Sequence, residues 1–183
     1  MKRVILVHGW GGGPDKNWLP WLGKELKKAG YEVIAPAMPD TDEPTIEKWV
    51  PFLVKMVGEP DANTYFVGHS IGCQAIMRYL ETISTQIGGA LFVAGWFKLE
   101  NLEDDDEKVA KPWVETPIDH AKVRANMKKA MLIISDNDDY GATEENKTSF
   151  ADIVDKTVVL HNAGHITDTE HPEILSGVLA LFR

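Results

Sequence analysis

Six short runs of this chain are almost unbroken in apolar or β-favouring residues: Val4 to Val7, Glu32 to Ala35, Thr64 to Val67, Ala90 to Ala94, Ala130 to Ser135 and Thr157 to His161. A strand with one wet face alternates apolar and polar residues. A run that does not alternate is buried on both faces, as the strands of a parallel sheet are. Segments of helical period fall between these runs, at Trp18 to Lys28, Thr45 to Val57, Ser70 to Ile83, Thr143 to Ile153 and Pro172 to Phe182. In the first, Trp18, Trp21, Leu22, Leu26 and Ala29 share one face, and Gly30 supplies a stop. In the last, Pro172 stands in the first turn, where its missing N–H is tolerated, and Ile174, Leu175, Val178, Leu179 and Phe182 form a stripe. Strand and helix in alternation predict an α/β fold: a mostly parallel sheet of about six strands with helices on both faces and right-handed crossovers. The 183 residues suit one domain, residues 1–183, with a core that needs no staples.

Charge and cysteine usage narrow the function. Acidic residues number 28 against 19 basic ones, a net charge of -9, which argues against nucleic-acid binding because phosphate binding wants a basic surface. The single cysteine, Cys73, excludes an internal disulfide and a Cys-rich zinc site, so a reducing, cytoplasmic setting is expected. Only Val4, Ile5, Leu6 and Val7 precede His8 as an apolar run, too few for a signal sequence, and no run reaches membrane-spanning length. No His, Asp or Glu cluster has metal-ligand spacing, and neither metal nor cofactor is expected.

One stretch breaks the rhythm. Residues Phe97 to Asp119 hold Glu100, Glu103, Asp104, Asp105, Asp106 and Glu107, then Pro112, Trp113 and Pro117. They read as a long irregular insertion whose acidic run is a solvated face or loop. The stretch leaves the end of a predicted strand, where open α/β sheets place ligands, so it is expected to border a pocket.

The line that carries chemistry is Tyr65-Phe66-Val67-Gly68-His69-Ser70-Ile71-Gly72-Cys73-Gln74-Ala75. It places Gly-x-Ser-x-Gly directly after an apolar strand and directly before a helical pattern. A nucleophile lifted on a tight strand-to-helix bend has strained backbone angles and close neighbours, hence the glycines two residues to either side. Such a bend aims the Ile71 N–H at a developing oxyanion and sets Ser70 at a helix N-terminus. An inert serine in a structural glycine turn is the competing reading. The first strand is followed by His8-Gly9-Trp10-Gly11-Gly12-Gly13-Pro14, a loop from which the Trp10 N–H can reach the same oxyanion. A dinucleotide cradle is disfavoured there, because Pro14 takes the third glycine position and Asp40 follows the second strand too late.

A serine nucleophile needs a base, and the base an orienting acid, in the chain order serine, acid, histidine. Past the fifth strand, Asp136, Asp138 and Asp139 lie at a strand-end loop; past the sixth come His161, His165 and, further on, His171. His165 follows a glycine beyond the strand and is the preferred base, whereas His161 reads as a core or edge histidine of its strand. Asp138 is preferred over Asp136, which reads as the strand's own end, and over Asp139. Cys73 is expected to be a small buried residue, and His8 and His69 to brace loop backbone by hydrogen bonding. Trp10, Trp96, Phe97 and Trp113 are candidates either for the wall of an apolar pocket or for simple core packing.

These motifs together resemble the small α/β-hydrolases of the retinoblastoma-binding protein 9 type and their bacterial relatives. The resemblance rests on His8-Gly9-Trp10-Gly11-Gly12, Gly68-His69-Ser70-Ile71-Gly72, Ser135-Asp136-Asn137-Asp138, Gly164-His165 and the short length. It implies a Ser-Asp-His triad on a parallel sheet without a large cap domain, and by motif match the triad falls on Ser70, Asp138 and His165. The Leu-x-Cys-x-Glu motif for a retinoblastoma-type partner is absent, so that partner is not implied. The expectation is a cofactor-free serine hydrolase acting on small, neutral ester or amide substrates, with Trp10 and Ile71 as oxyanion donors and Trp96, Phe97 and Trp113 as lining. The alternative is a hydrolase scaffold that binds a ligand or protein without catalysing.

Overall fold

Along the inner strands of the computed structural model, which describes residues 1–182, successive side chains enter two different cores, and both are apolar. The edge runs at Glu32–Ile34 and Lys156–Leu160 are only partly buried, so two buried faces, expected of all six runs, are not found there. In β1 (Arg3–Val7), Val4 and Leu6 enter one core while Ile5 and Val7 enter the other. That is why the run does not alternate in sequence. After β1 come α1 (Leu19–Lys28), β2 (Glu32–Ile34), α2 (Ile46–Val57), β3 (Thr64–His69) and α3 (Ile71–Thr82). The second half contains β4 (Ile87–Val93), α4 (Asp104–Glu115), α5 (His120–Ala125), β5 (Met127–Ser135), α6 (Thr143–Phe150), β6 (Lys156–Leu160) and α7 (Pro172–Leu181).

The six strands form one sheet in the order β2-β1-β3-β4-β5-β6, and every pairing is parallel. Helices α1 and α7 cover one face through Leu19, Leu22, Leu26, Ile174, Val178 and Leu181. Helices α2 and α3 cover the other through Trp49, Leu53, Ile76, Met77 and Leu80. Parallel strands bring all their C-terminal ends to one edge. The chain moves from β1 outward to β2 and then back past β1 to β3, so the order reverses beside β1, where open α/β sheets bind ligands. The Val7–Gly68 and His69–Val93 registers set the ends of β1, β3 and β4 side by side at that point.

The strand bounds differ from the expectation in instructive places. Strand β4 begins at Ile87 and includes two glycines, which carry no apolar signal, and β5 begins at Met127, three residues before Ala130. The stretch from Phe97 to Asp119 is corrected more substantially: it is not one irregular insertion but contains helix α4 and ends at the cap of α5. The acidic run explains the helix, because Asp104, Asp105, Asp106 and Glu107 form its first turn, where negative charge suits the helix dipole. Pro112 falls in the last turn of α4, and only Ala110 and Trp113 are buried, so no apolar stripe marks the helix. Helix α5 is capped by Asp119, whose carboxylate accepts the Lys122 N–H at 2.9 Å.

Candidate active site

Strand β3 turns into α3 at Ser70, whose φ of 54° and ψ of -124° are strained for a side-chain-bearing residue. Two close approaches force the flanking glycines. A Cβ on Gly72 would lie 2.5 Å from the Val7 carbonyl oxygen, and one on Gly68 would lie 2.7 Å from Ile76 Cδ1. The Ser70 N–H donates to the Val93 carbonyl at 2.9 Å, which ties the bend to β4. Ser70 Oγ accepts a long hydrogen bond, 3.4 Å, from the indole N–H of Trp96. Among the described residues neither the Ile71 N–H nor the Trp10 N–H has a backbone acceptor. Both stand at the strand-end edge, one opening α3 and the other in the loop after β1.

The loop after β5 faces the loop after β6. His165 Nδ1 lies 2.8 Å and 3.0 Å from the two carboxylate oxygens of Asp138. Burial raises the Asp138 pKa, but the hydrogen bond and charge of His165, with N–H groups of Tyr140 and Gly141, outweigh it and hold the carboxyl below its ordinary value. An ionised carboxylate only accepts, so Nδ1 carries a proton, and in the neutral imidazole it is Nε2 that holds the lone pair. The two loops are stitched together by backbone donors: Asn162 N–H to Asp136 Oδ1, Ala163 N–H to Ser135 Oγ, and Gly164 N–H to Asn137 Oδ1, all within 3.0 Å. Ser135 Oγ–H donates in turn to Asn137 Oδ1 at 2.7 Å. No hydrogen bond joins Ser70 Oγ to His165 among the described residues, but both line one cavity of about 310 Å³. A nucleophile and base are often loosely spaced in a free enzyme and close on substrate binding.

The remaining histidines and acids lie elsewhere. His161 is neither a core nor a ladder residue: it follows β6, its side chain is 82% exposed, and it pairs with Asp136 at 2.6 Å. Strand β5 ends at Ser135, which places Asp136 just beyond it. His171 precedes α7 and turns its Nδ1 to Glu173 at 2.9 Å. His8 is fully committed, its Nδ1–H donating to the Gly9 carbonyl and its Nε2 accepting the Met38 N–H. Cys73 is buried, and burial pushes its thiol pKa well up, which keeps it an inert thiol.

Trp10 and Trp96 line the cavity with Leu99, Leu102 and Tyr140, and Tyr140 meets the His165 ring edge-on at 5.4 Å. Phe97 and Trp113, expected as lining, are placed differently. Phe97 packs on Phe150 and His120. Trp113 is 1% exposed in the core under α4, edge-on to Trp49, with its indole N–H on the Pro44 carbonyl. Of the acidic run only Asp106 reaches the cavity, and Lys16 lines it too. Leu99, Leu102 and Tyr140 were not signalled in sequence. Leu99 and Tyr140 are brought together there by the Glu100 N–H to Tyr140 carbonyl bond and the bridge between Leu99 and Gly141. Among the described residues no group of three or more His, Cys, Asp or Glu converges as a metal site, and no helix is long and apolar enough to cross a membrane.

The comparisons with known proteins bear on the family and the fold. A family model described as serine hydrolase matches residues 4–181. The protein YdeN of Bacillus subtilis (strain 168) is 30% identical over 172 residues, covering 92% of this chain and 88% of its own. The serine hydrolase RBBP9 of Rattus norvegicus is 28% identical over 183 residues, covering 98% and 95%. The crystal structure of the B. subtilis ydeN product superposes with a TM-score of 0.91 at 26% identity, covering 100% of this chain and 99% of that one. A monoacylglycerol lipase from Paleococcus ferrophilus shares the fold, with a TM-score of 0.73 at 17% identity over 98% of this chain and 94% of its own.

Proposed function

The chain belongs to the serine hydrolase family, and from that premise we propose that it cleaves small ester or amide substrates through an acyl-enzyme on Ser70. The reading is carried by one observation: His165, held by Asp138, lines the same cavity as the strained Ser70 bend. Ser70 Oγ attacks the substrate carbonyl as its proton passes to His165 Nε2. Asp138 holds the imidazole by Nδ1–H and offsets the imidazolium charge without taking the proton. The N–H groups of Ile71 and Trp10 receive the oxyanion, for which a lost donor typically costs about 3–4 kcal/mol of barrier. Collapse expels the alcohol or amine, protonated by His165. A water molecule, deprotonated by the same imidazole, then releases the acid and restores Ser70. Water is the sole co-reactant in this cycle.

The walls support an apolar substrate group. Trp96, Leu99, Leu102 and Tyr140 favour an apolar acyl or alkyl group, and about 310 Å³ stands at the small end of ligand cavities. The test is hydrolysis of a short p-nitrophenyl ester by the wild type and by Ser70→Ala. Turnover is expected in the first and a fall of about 10⁵-fold or more in the second. A Ser70→Ala protein that hydrolyses the ester at the wild-type rate, or a wild type inert to a broad ester and amide panel, would overturn the proposal and favour a silent scaffold.

A further inference from the structure

We propose that His69 is a positioning residue that keeps three loops of the site in register: the glycine-rich loop after β1, the bend at Ser70, and the loop that carries His165. The inference rests on the reading of Ser70 and His165 as nucleophile and base. His69 ends β3 immediately before Ser70 and is 2% exposed. Its Nε2 lies 2.9 Å from the His165 backbone carbonyl oxygen, across 96 residues of chain, and the two rings stand 5.1 Å apart. A carbonyl can only accept, so Nε2 carries the proton and Nδ1 is left as a lone pair. That nitrogen is buried with no hydrogen-bond partner among the described residues. What faces it is Gly9: a Cβ there would come within 3.0 Å of Nδ1, so the loop that presents Trp10 packs directly on this ring.

A buried acceptor without a partner is unfavourable, and an apolar side chain of similar size would avoid it. An apolar side chain would also release the His165 carbonyl. The imidazole at this position is therefore explained by its donor nitrogen. Trp18 reinforces the same loop: its ring meets His69 edge-on at 5.7 Å, and its own N–H donates to the Ile166 carbonyl at 2.9 Å. Two successive carbonyls beside the base are thus held by two packed rings, while Ile166 keeps a left-handed φ of 54°.

The ring is suited to the task because it stays uncharged. Burial and the neighbouring charge of His165 push its pKa down to about 4, with His8 acting the same way. The His165 carbonyl and the Asp138 carboxylate oppose them only in part. A cation at His69 would stand beside the imidazolium that the mechanism needs on His165. A neutral donor holds the loop without that penalty.

The test compares His69→Leu, His69→Gln and His69→Asn by ester kinetics, with fluorophosphonate labelling of the wild type and Ser70→Ala in parallel. Glutamine can place an amide N–H where Nε2 stands, whereas asparagine is too short. The leucine and asparagine variants should lose about 10- to 100-fold in kcat with KM changed less than about threefold. The glutamine variant should recover kcat to within about threefold of the wild type. Should the leucine variant not fold, the Gln and Asn pair decides alone. A folded His69→Leu with wild-type kcat, or equal kcat in the Gln and Asn variants, would overturn the proposal. Failure of the underlying reading shows separately, as label that persists in Ser70→Ala.

Discussion

His165 Nδ1 lies 2.8 Å from Asp138 Oδ2 and 3.0 Å from Oδ1, joining two loops 27 residues apart in sequence. A second pair sits on the same loops, with His161 Nδ1 2.6 Å from Asp136 Oδ2, but in water. The first pair is enclosed, with side chains 19% and 7% exposed. Exclusion of water is what makes such a hydrogen bond able to fix a tautomer. Asp138→Asn should therefore lower kcat on a short ester on the order of 10⁴-fold. Asp136→Asn should leave it within about threefold, since exposed pairs contribute little. Steady-state kinetics on both variants check this, and the reverse order would move the orienting acid two residues along the chain.

Stability should fall on mild acidification, and the sign follows from His69. A free imidazole titrates at 6.5, and burial lowers His69 to about 4. Between those values the unfolded chain binds a proton that the native state does not. The contribution is complete above pH 6.5 and is lost as pH falls to about 4, roughly 3 kcal/mol in all. His8, also lowered by burial, acts in the same direction. Asp138, held below its ordinary 3.8, acts only below that window. Urea unfolding at about pH 7 and about pH 4.5 should show a smaller acid loss in His69→Gln than in the wild type. Equal losses would place the proton uptake elsewhere.

Chain length of the acyl group should matter. With Leu99, Leu102 and Tyr140 among the walls of a cavity of about 310 Å³, kcat/KM on p-nitrophenyl esters should peak at about six carbons or fewer. A maximum at about twelve carbons or longer would mean that the α4 side of the site opens to admit a long chain.

The parts of this molecule that could be read from its sequence are those where one physical demand dictates residue type. Strands buried on both faces need unbroken apolar runs, so the sheet was visible in Val4 to Val7 and Ala130 to Ser135. The bend at Ser70 needs glycines at 68 and 72 because backbone passes within contact distance of both. Helix α4 was not visible, since only Ala110 and Trp113 are buried and its first turn is four acids. The fates of Phe97 and Trp113 were equally hidden: an aromatic residue satisfies a pocket wall and a core alike, and only the path of the chain decides. Tyr140 and Leu99 meet at the cavity through hydrogen bonding between distant loops, for which no local pattern exists. The His161 case has the same origin, because β6 stops one residue before it.

The central claim, that Ser70 is a nucleophile activated by His165, is tested most directly by reaction with a fluorophosphonate followed by intact-mass and peptide-mapping mass spectrometry. The strained bend, the Ile71 and Trp10 N–H groups that lack a backbone acceptor among the described residues, and the Asp138-held imidazole predict one adduct per chain, on Ser70. They also predict no adduct in Ser70→Ala and, in His165→Ala, labelling slowed by about 10³-fold or more. An adduct on another residue, or one that forms as fast without His165, would contradict the account.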